Sequence, residues 1–362
     1  MNIKSLMLSS AAALIVASQA SAADAVVAAE PEPLEYVKIC DAYGAGYFFI
    51  PGTETCLKIG GKVRTEGEWG NAYNPSSKNG TLWHTRAELQ LQTATDTEYG
   101  PLKTNAELRW DWNDGNSTTT NLLHASISLG GFTVGKEDSQ YNVFTGYAGD
   151  VINDDVVYDG PYELNQITYN YDAGNGFTAV ISLEDTNSSD DASSYDGAWV
   201  TSEANHYAPN VVAGAGYKAG AWSFKVVGGY DSIVEEGAIK ARVDADFGVF
   251  SAFVMGGYNT DGSKLNQYAG SNNDDSTCPT NQGYLCGWGD WAVWGGASVP
   301  INEKLKWNAQ VAYTDSKIFA ATTNLKFNPV KNLLIEPEVS YTNWDSVNES
   351  QWAGILRFER SF

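Results

Sequence analysis

The chain has 362 residues, with 44 acidic against 22 basic side chains, a formal net charge of −22 and a mean hydropathy of −0.30. That acidity argues against nucleic acid or acidic substrates as partners, and the mean hydropathy is too polar for a lipid-exposed helix bundle. Yet 12 Trp, 20 Tyr and 13 Phe make the chain aromatic-rich, a tension that strands alternating apolar and polar residues resolve.

Residues 1–22 carry one cation, Lys4, then an apolar run from Leu6 to Val16 and small residues at Ala20 and Ala22. This is expected to be a secretory signal peptide cut after Ala22, and losing Lys4 takes the charge to −23. No later stretch approaches the ~18 uninterrupted apolar residues of a membrane helix. Residues 23–35 are rich in Ala, Glu and Pro without a strand period. They are expected to be flexible or to fold against the rest of the chain, opening an N-terminal segment over 23–56. The cysteines form two close pairs, Cys40 with Cys56 and Cys278 with Cys286. Two local disulfides are expected in an exported protein. The histidines His84, His124 and His206 are not at ligand spacing from any Cys, so no metal centre or cofactor is expected.

From residue 57 the chain alternates. Leu57, Ile59, Gly61 and Val63 interleave with Lys58, Lys62, Arg64 and Glu66. Trp83 to Leu91 interleaves with His84 to Gln92, and Leu102 to Trp112 with Lys103 to Asp111. Thirteen further strands follow, over 122–129, 132–136, 164–171, 177–183, 211–217, 222–230, 239–247, 249–258, 291–299, 305–313, 318–327, 333–341 and 351–362. Connections after even-numbered strands are short, such as Gly130-Gly131. The long ones, 137–163, 184–206 and 259–289, all follow odd-numbered strands. The expected fold is therefore all-β, a sixteen-stranded antiparallel transmembrane β-barrel over 57–362. A soluble β-sandwich also alternates, but it gains nothing from Trp and Tyr near strand ends or from this asymmetry of loop length. The last strand puts Trp352, Gly354, Leu356, Phe358 and Phe362 on one face, which suits a bacterial outer-membrane destination.

The stretch YVKICDAYGAGYFFIPGTETCLKIGGKVR, residues 36–64, resembles the signature opening of the alphaproteobacterial general porins. The stretch SISLGGFTVGKEDS at 126–139 is similar to the turn and fifth strand leading into the constriction loop of trimeric porins, and LRFERSF resembles the family's terminal strand. The resemblance implies a homotrimer of sixteen-stranded barrels in outer-membrane lipid and lipopolysaccharide. It also implies passive diffusion of small hydrophilic solutes and ions past a third loop folded into the lumen. One departure is Arg360, in the lipid-face register where an aromatic is usual, from which it reaches periplasmic headgroups.

The residues suggest how such a pore is lined. Residues 137–163 hold Asp138, Asp150, Asp154, Asp155 and Asp159, along with Glu137 and Glu163. Arg64, Arg86, Arg109 and Arg357 fall in the polar register of strands one, two, three and sixteen, which become neighbours when the barrel closes. An acidic loop facing this basic wall would set up a transverse field. Alternatively, the arginines pair with inward Glu66, Glu88, Glu107 or Asp111 as structural ladders. No catalytic residue is expected: His84 and His124 fall in the lumen register without a nucleophile elbow. Asp190, Asp191, Asp196, Asp274 and Asp275 match no EF-hand and read as surface charge. The function expected is general diffusion. The competitors are a substrate-selective sugar porin, which needs an aromatic track through the lumen, and a barrel acting as adhesin or anchor, which needs a plugged one.

Overall fold

The computed structural model describes residues 38–73, 80–113, 118–185, 208–262, 264, 266–270 and 287–362. Cys278, Cys286 and His206 lie outside the described residues. Within the compact unit Ile39–Phe362, a two-residue strand, Phe48–Phe49, pairs with the start of the first barrel strand. Sixteen long strands follow: β1 (Cys56–Trp69), β2 (Thr81–Thr95), β3 (Leu102–Asn113), β4 (Thr119–Leu129), β5 (Phe132–Asp138), β6 (Glu163–Asp172), β7 (Phe177–Glu184) and β8 (Asn210–Ala219). The second half comprises β9 (Trp222–Asp231), β10 (Glu236–Asp246), β11 (Ser251–Asn259), β12 (Trp291–Asn302), β13 (Leu305–Thr314), β14 (Ile318–Phe327), β15 (Leu333–Trp344) and β16 (Glu349–Ser361). Each strand pairs antiparallel with its sequence neighbour, and β16 pairs with β1, so the sheet closes with no free edge. Closure matters because a spanning sheet has no water in the hydrocarbon layer to satisfy an edge.

The register assigns the two faces as the alternation predicts. Ile59, Val63, Ile127, Val134, Ile167, Val254 and Val311 are exposed on the outer face. Aromatic side chains gather toward the strand ends. At the short-turn end Phe132 meets Tyr169, and Phe247 lies between Trp222 and Phe250. At the other end Trp352 packs on Tyr341, and Trp291 on Tyr313. Two such belts match the two membrane–water interfaces. Gly354 admits the Trp69 indole so closely that a Cβ there would overlap it. The β4–β5 turn is Gly130-Gly131, both at positive φ, a conformation L side chains rarely adopt.

The inner face is polar, with Gln166, Thr168, Asn308, Gln310, Thr322, Asn324, Ser340 and Thr342 buried on it. The apolar core sits where the β5–β6 connection packs inside the barrel. Tyr141, Phe144, Val156 and Val157 from the connection cluster with Met255, Tyr268, Trp288 and Trp294. The Cys40–Cys56 disulfide ties the N-terminal segment to the start of β1.

Candidate functional site

The 139–162 connection is the third long-strand link at the long-loop end, and bonds to inward side chains fix it within the lumen. At its start, Ser139 Oγ and the Gln140 amide donate to the Glu184 carboxylate on β7 at 2.7 and 2.9 Å. A single helical turn, Gln140–Val143, follows. Arg242 on β10 then donates to the carbonyls of Gly146 and Tyr147 at 3.2 and 2.5 Å. Further on, the amides of Ile152 and Asn153 donate to Glu338 on β15 at 2.5 and 2.9 Å. Gln310 on β13 caps the Asp154 carbonyl at 2.7 Å, and the Trp294 indole on β12 caps that of Val157 at 3.1 Å. All of these bonds except that of the Ser139 hydroxyl satisfy a backbone group that would otherwise be buried away from water, which is why so irregular a segment is tolerated at this depth.

The loop acids differ in environment. Asp138 accepts from His124 Nε2 at 3.3 Å and from the Tyr147 hydroxyl. Asp150 lies between Lys306, at 2.6 Å, and Lys326, on β13 and β14. Burial alone would raise its carboxyl, but the two ammonium groups overcome this and hold it below the usual range. Asp155 accepts from the Tyr73 hydroxyl and, at 3.4 Å, from Tyr162. Asp159 is fully buried and accepts from the Ala148 amide at 2.9 Å and from Asn142 Nδ2 at 3.3 Å. Lys240 donates to Asn142 Oδ1 at 2.8 Å and to the Asp159 carbonyl. Asp154 is partly buried. Crowding by protein, then repulsion from Asp159 and Asp155, pushes it well above the usual carboxylate range.

The four arginines do gather on one wall, but as a ladder. Arg64 bonds Glu359 at 2.8 Å, Arg86 bonds Asp111 at 2.6 Å, Arg109 bonds Glu88 at 3.0 Å and Arg357 bonds Glu66 at 2.5 Å. Lys62 also reaches Glu88 at 2.9 Å, and His84 bridges Glu66 and Asp111 at 2.8 Å each. Of the two readings of these residues, the paired one matches the geometry: the wall is a mixed ladder instead of a bare basic surface. Glu359, a partner that parity alone did not single out, comes within reach only because β16 closes on β1, with Arg64 opposite Glu359 and Glu66 opposite Arg357. Glu338 and Glu184, which anchor the loop, were likewise not singled out from sequence. Their only sequence signal is a charged residue in the inward register.

Charge elsewhere is less balanced. Glu107 and Asp138 meet only His124 among their ion pairs. Among the described residues the Glu137 carboxylate accepts from Asn105, at 3.2 Å, and from Ser126. Glu107, Glu137 and Asp138 thus place negative charge on the β3–β6 side that no arginine or lysine meets at ion-pair distance among the described residues.

The profile of the porin subfamily matches residues 24–357. Porin Omp2b of Brucella neotomae is 43% identical over 381 residues, and porin Omp2a of Brucella melitensis biotype 1 is 43% identical over 392 residues, with 100% of both chains covered in each case. In fold, the chain is similar to the outer membrane channel DcaP of Acinetobacter baumannii, with a TM-score of 0.60 at 15% identity, covering 87% of this chain and 99% of that one. It is also similar to the anion-selective porin from Comamonas acidovorans, with a TM-score of 0.58 at 16% identity, covering 85% and 100%. The closed sixteen-stranded barrel, its apolar outer face and these relatives agree: the chain belongs to the porin subfamily and is an outer-membrane diffusion channel.

Proposed function

We propose that this porin passes small hydrophilic solutes and ions without a dedicated substrate site, through a lumen narrowed by residues 139–162, and that it favours cations. The observation that carries this is the pairing pattern. Arg64, Arg86, Arg109 and Arg357 each face a strand carboxylate, and Asp150 is matched by two lysines. Glu107, Glu137 and Asp138 have no arginine or lysine at ion-pair distance among the described residues. A surplus of fixed negative charge in a narrow, low-dielectric passage concentrates cations there. The arginine ladder sets a weaker transverse field than four bare guanidinium groups would, and it holds β16, β1, β2 and β3 in register. The aromatic residues fall mostly on the outer face, so they form no track for stacking sugars.

In this reading, residues 1–22 direct export and 23–56 form a periplasmic segment. Three copies assemble side by side in lipid and lipopolysaccharide, each barrel being a separate pore, and a second disulfide joins Cys278 and Cys286. The test is reversal potential across a KCl gradient for the wild type and for the Arg64→Gln, Arg86→Gln, Arg109→Gln triple variant. Neutralising the ladder bares Glu359 and leaves Glu88 with Lys62 alone and Asp111 with His84 alone, so cation preference rises. Unchanged selectivity and solute flux would remove these arginines from the pore.

A further inference from the structure

At the neck of the constriction loop, where the chain leaves β5 and re-enters β6, Asp138 and Glu163 are directly opposed across the strand pair. Like charges in that position repel, so a cation between them is stabilising. The nearest is the single imidazole of His124. Its Nε2 lies 3.3 Å from Asp138 Oδ1, and its Nδ1 is 3.1 Å from Glu107 Oε2. One ring thus faces Glu107, Asp138 and Glu163, with Glu137 alongside, and none of the four carboxylates has a lysine or arginine at ion-pair distance among the described residues. The other histidine cluster of the lumen differs. At His84, grouped with Glu66 and Glu68, Glu66 is held by Arg357 and the neighbouring Asp111 by Arg86, which leaves Glu68 as the one carboxylate there without a lysine or arginine at ion-pair distance among the described residues.

We propose that His124, Asp138 and Glu163 form a binding site for a divalent transition-metal ion of the zinc class. One ligand atom from each, an imidazole nitrogen and two carboxylate oxygens, all lie within 4.8 Å of one another. A tetrahedral zinc with N and O ligands at ~2.0–2.1 Å has ligand–ligand edges of about 3.3–3.4 Å. The His124 Nε2 to Asp138 Oδ1 separation of 3.3 Å already equals that edge, and only Glu163 has to close in. The surroundings suit a ligand set as well. Glu107 on Nδ1 fixes the ring with Nε2 aimed at the site, the carboxylate–histidine arrangement that orients metal-bound imidazoles. Tyr147 holds the far oxygen of Asp138. The ring owes its place to an irregularity in β4: opposite Glu107 and Leu108 of β3, the register slips so that Leu123 is left over. Such a bulge re-aims the following side chain. The metal would arrive through the cavity lined by His124, Asp138, Lys103, Asn105, Ser126 and Gln140. On binding, any proton on Nε2 leaves to bulk water, the proton on Nδ1 stays toward Glu107, and a lumen water completes the fourth position.

The test is calorimetric titration of ZnCl2 into the purified, detergent-solubilised full chain, with MgCl2 as the hard-cation comparison. The expected result is one saturable Zn2+ site per chain that His124→Asn and Glu163→Gln each weaken at least tenfold, with no Mg2+ binding of that strength. The Glu163 side chain makes no hydrogen bond or ion pair within the described residues, so Glu163→Gln reports on the site even if His124→Asn folds poorly. Zinc affinity equal to wild type in Glu163→Gln, absence of a one-per-chain site, or Mg2+ binding as tight as Zn2+ would each overturn the assignment.

Discussion

Glu338 is the loop anchor whose removal is most telling. Its buried carboxylate accepts from the amides of Ile152 and Asn153 at 2.5 and 2.9 Å and from Asn324 Nδ2 at 3.1 Å. Glu338→Ala leaves two backbone N–H groups without an acceptor. A buried donor left unpaired costs about 1–3 kcal/mol, and the space vacated is large enough and polar enough for water to offset part of this. A net cost of about 2–4 kcal/mol falls on the docked form of the loop, since the barrel strands keep their own ladders. At 1.4 kcal/mol per factor of ten, the undocked population rises roughly 30- to 700-fold. Arg242, Gln310 and Trp294 still hold the flanking carbonyls, so undocking is local and reversible. Single-channel recording in planar bilayers should show added current noise and a larger mean conductance, with Glu338→Gln intermediate because it keeps one acceptor oxygen. Traces of Glu338→Ala that match wild type in both mean and variance would refute the claim that this carboxylate pins the loop.

Four further outcomes follow from particular contacts. Lys306→Ala combined with Lys326→Ala bares Asp150; reversal potential should move toward cations, more so at low salt because screening weakens with the longer Debye length, and a shift toward anions would contradict the pairing. Asp154 has its carboxyl raised by burial and by its acidic neighbours, so the neutral form gains as pH falls before ordinary carboxylates protonate; cation preference should begin to drop above the usual carboxylate range, and Asp154→Asn should abolish that early part of the pH profile while leaving the later part. Removing the Cys40–Cys56 bridge opens a closed loop of sequence separation 16, worth about 3 kcal/mol in chain entropy; limited proteolysis of Cys40→Ala, Cys56→Ala should cut within 41–55 faster than wild type, with conductance unchanged. Arg357→Ala strips Glu66 of its 2.5 Å partner at the seam where β16 meets β1; heat-modified mobility on gels should shift to lower temperature than for Lys103→Ala, since Lys103 has no such partner among the described residues.

The barrel was legible because its period is written along each strand. Arg64, Arg86, Arg109 and Arg357 fall in the polar register of their own strands, and strand number alone makes those strands neighbours. Once the ring closes, no further information is needed to put the four on one wall. Their partners were half-legible: Asp111, Glu88 and Glu66 share that register, but choosing between bare and paired arginines depends on the stagger between strands, which turns and bulges set. The slip in β4 that aims His124 at Asp138 leaves no mark in the alternation, since Leu122 and Leu123 read equally well on either face. The path of the loop was not legible at all. Its anchors are side chains far along the chain, with Lys240 98 residues from Asn142, Gln310 156 from Asp154 and Glu338 186 from Ile152. Acidity in the loop suggested that its carboxylates line the passage. In the fold Asp150 is paired with Lys306 and Lys326 and Asp159 is buried, and that distribution depends on which lysines the docked loop meets.

The central claim, an open lumen narrowed but not plugged by the 139–162 segment, is tested most directly by steady-state conductance of the purified full chain in planar bilayers, with uncharged polymers of graded size added to both sides. The account predicts stepwise insertion, conductance proportional to KCl concentration without saturation, and a sharp polymer size above which conductance is no longer reduced. Insertion without conductance steps, or a current that saturates and is blocked by one particular oligosaccharide, would contradict it.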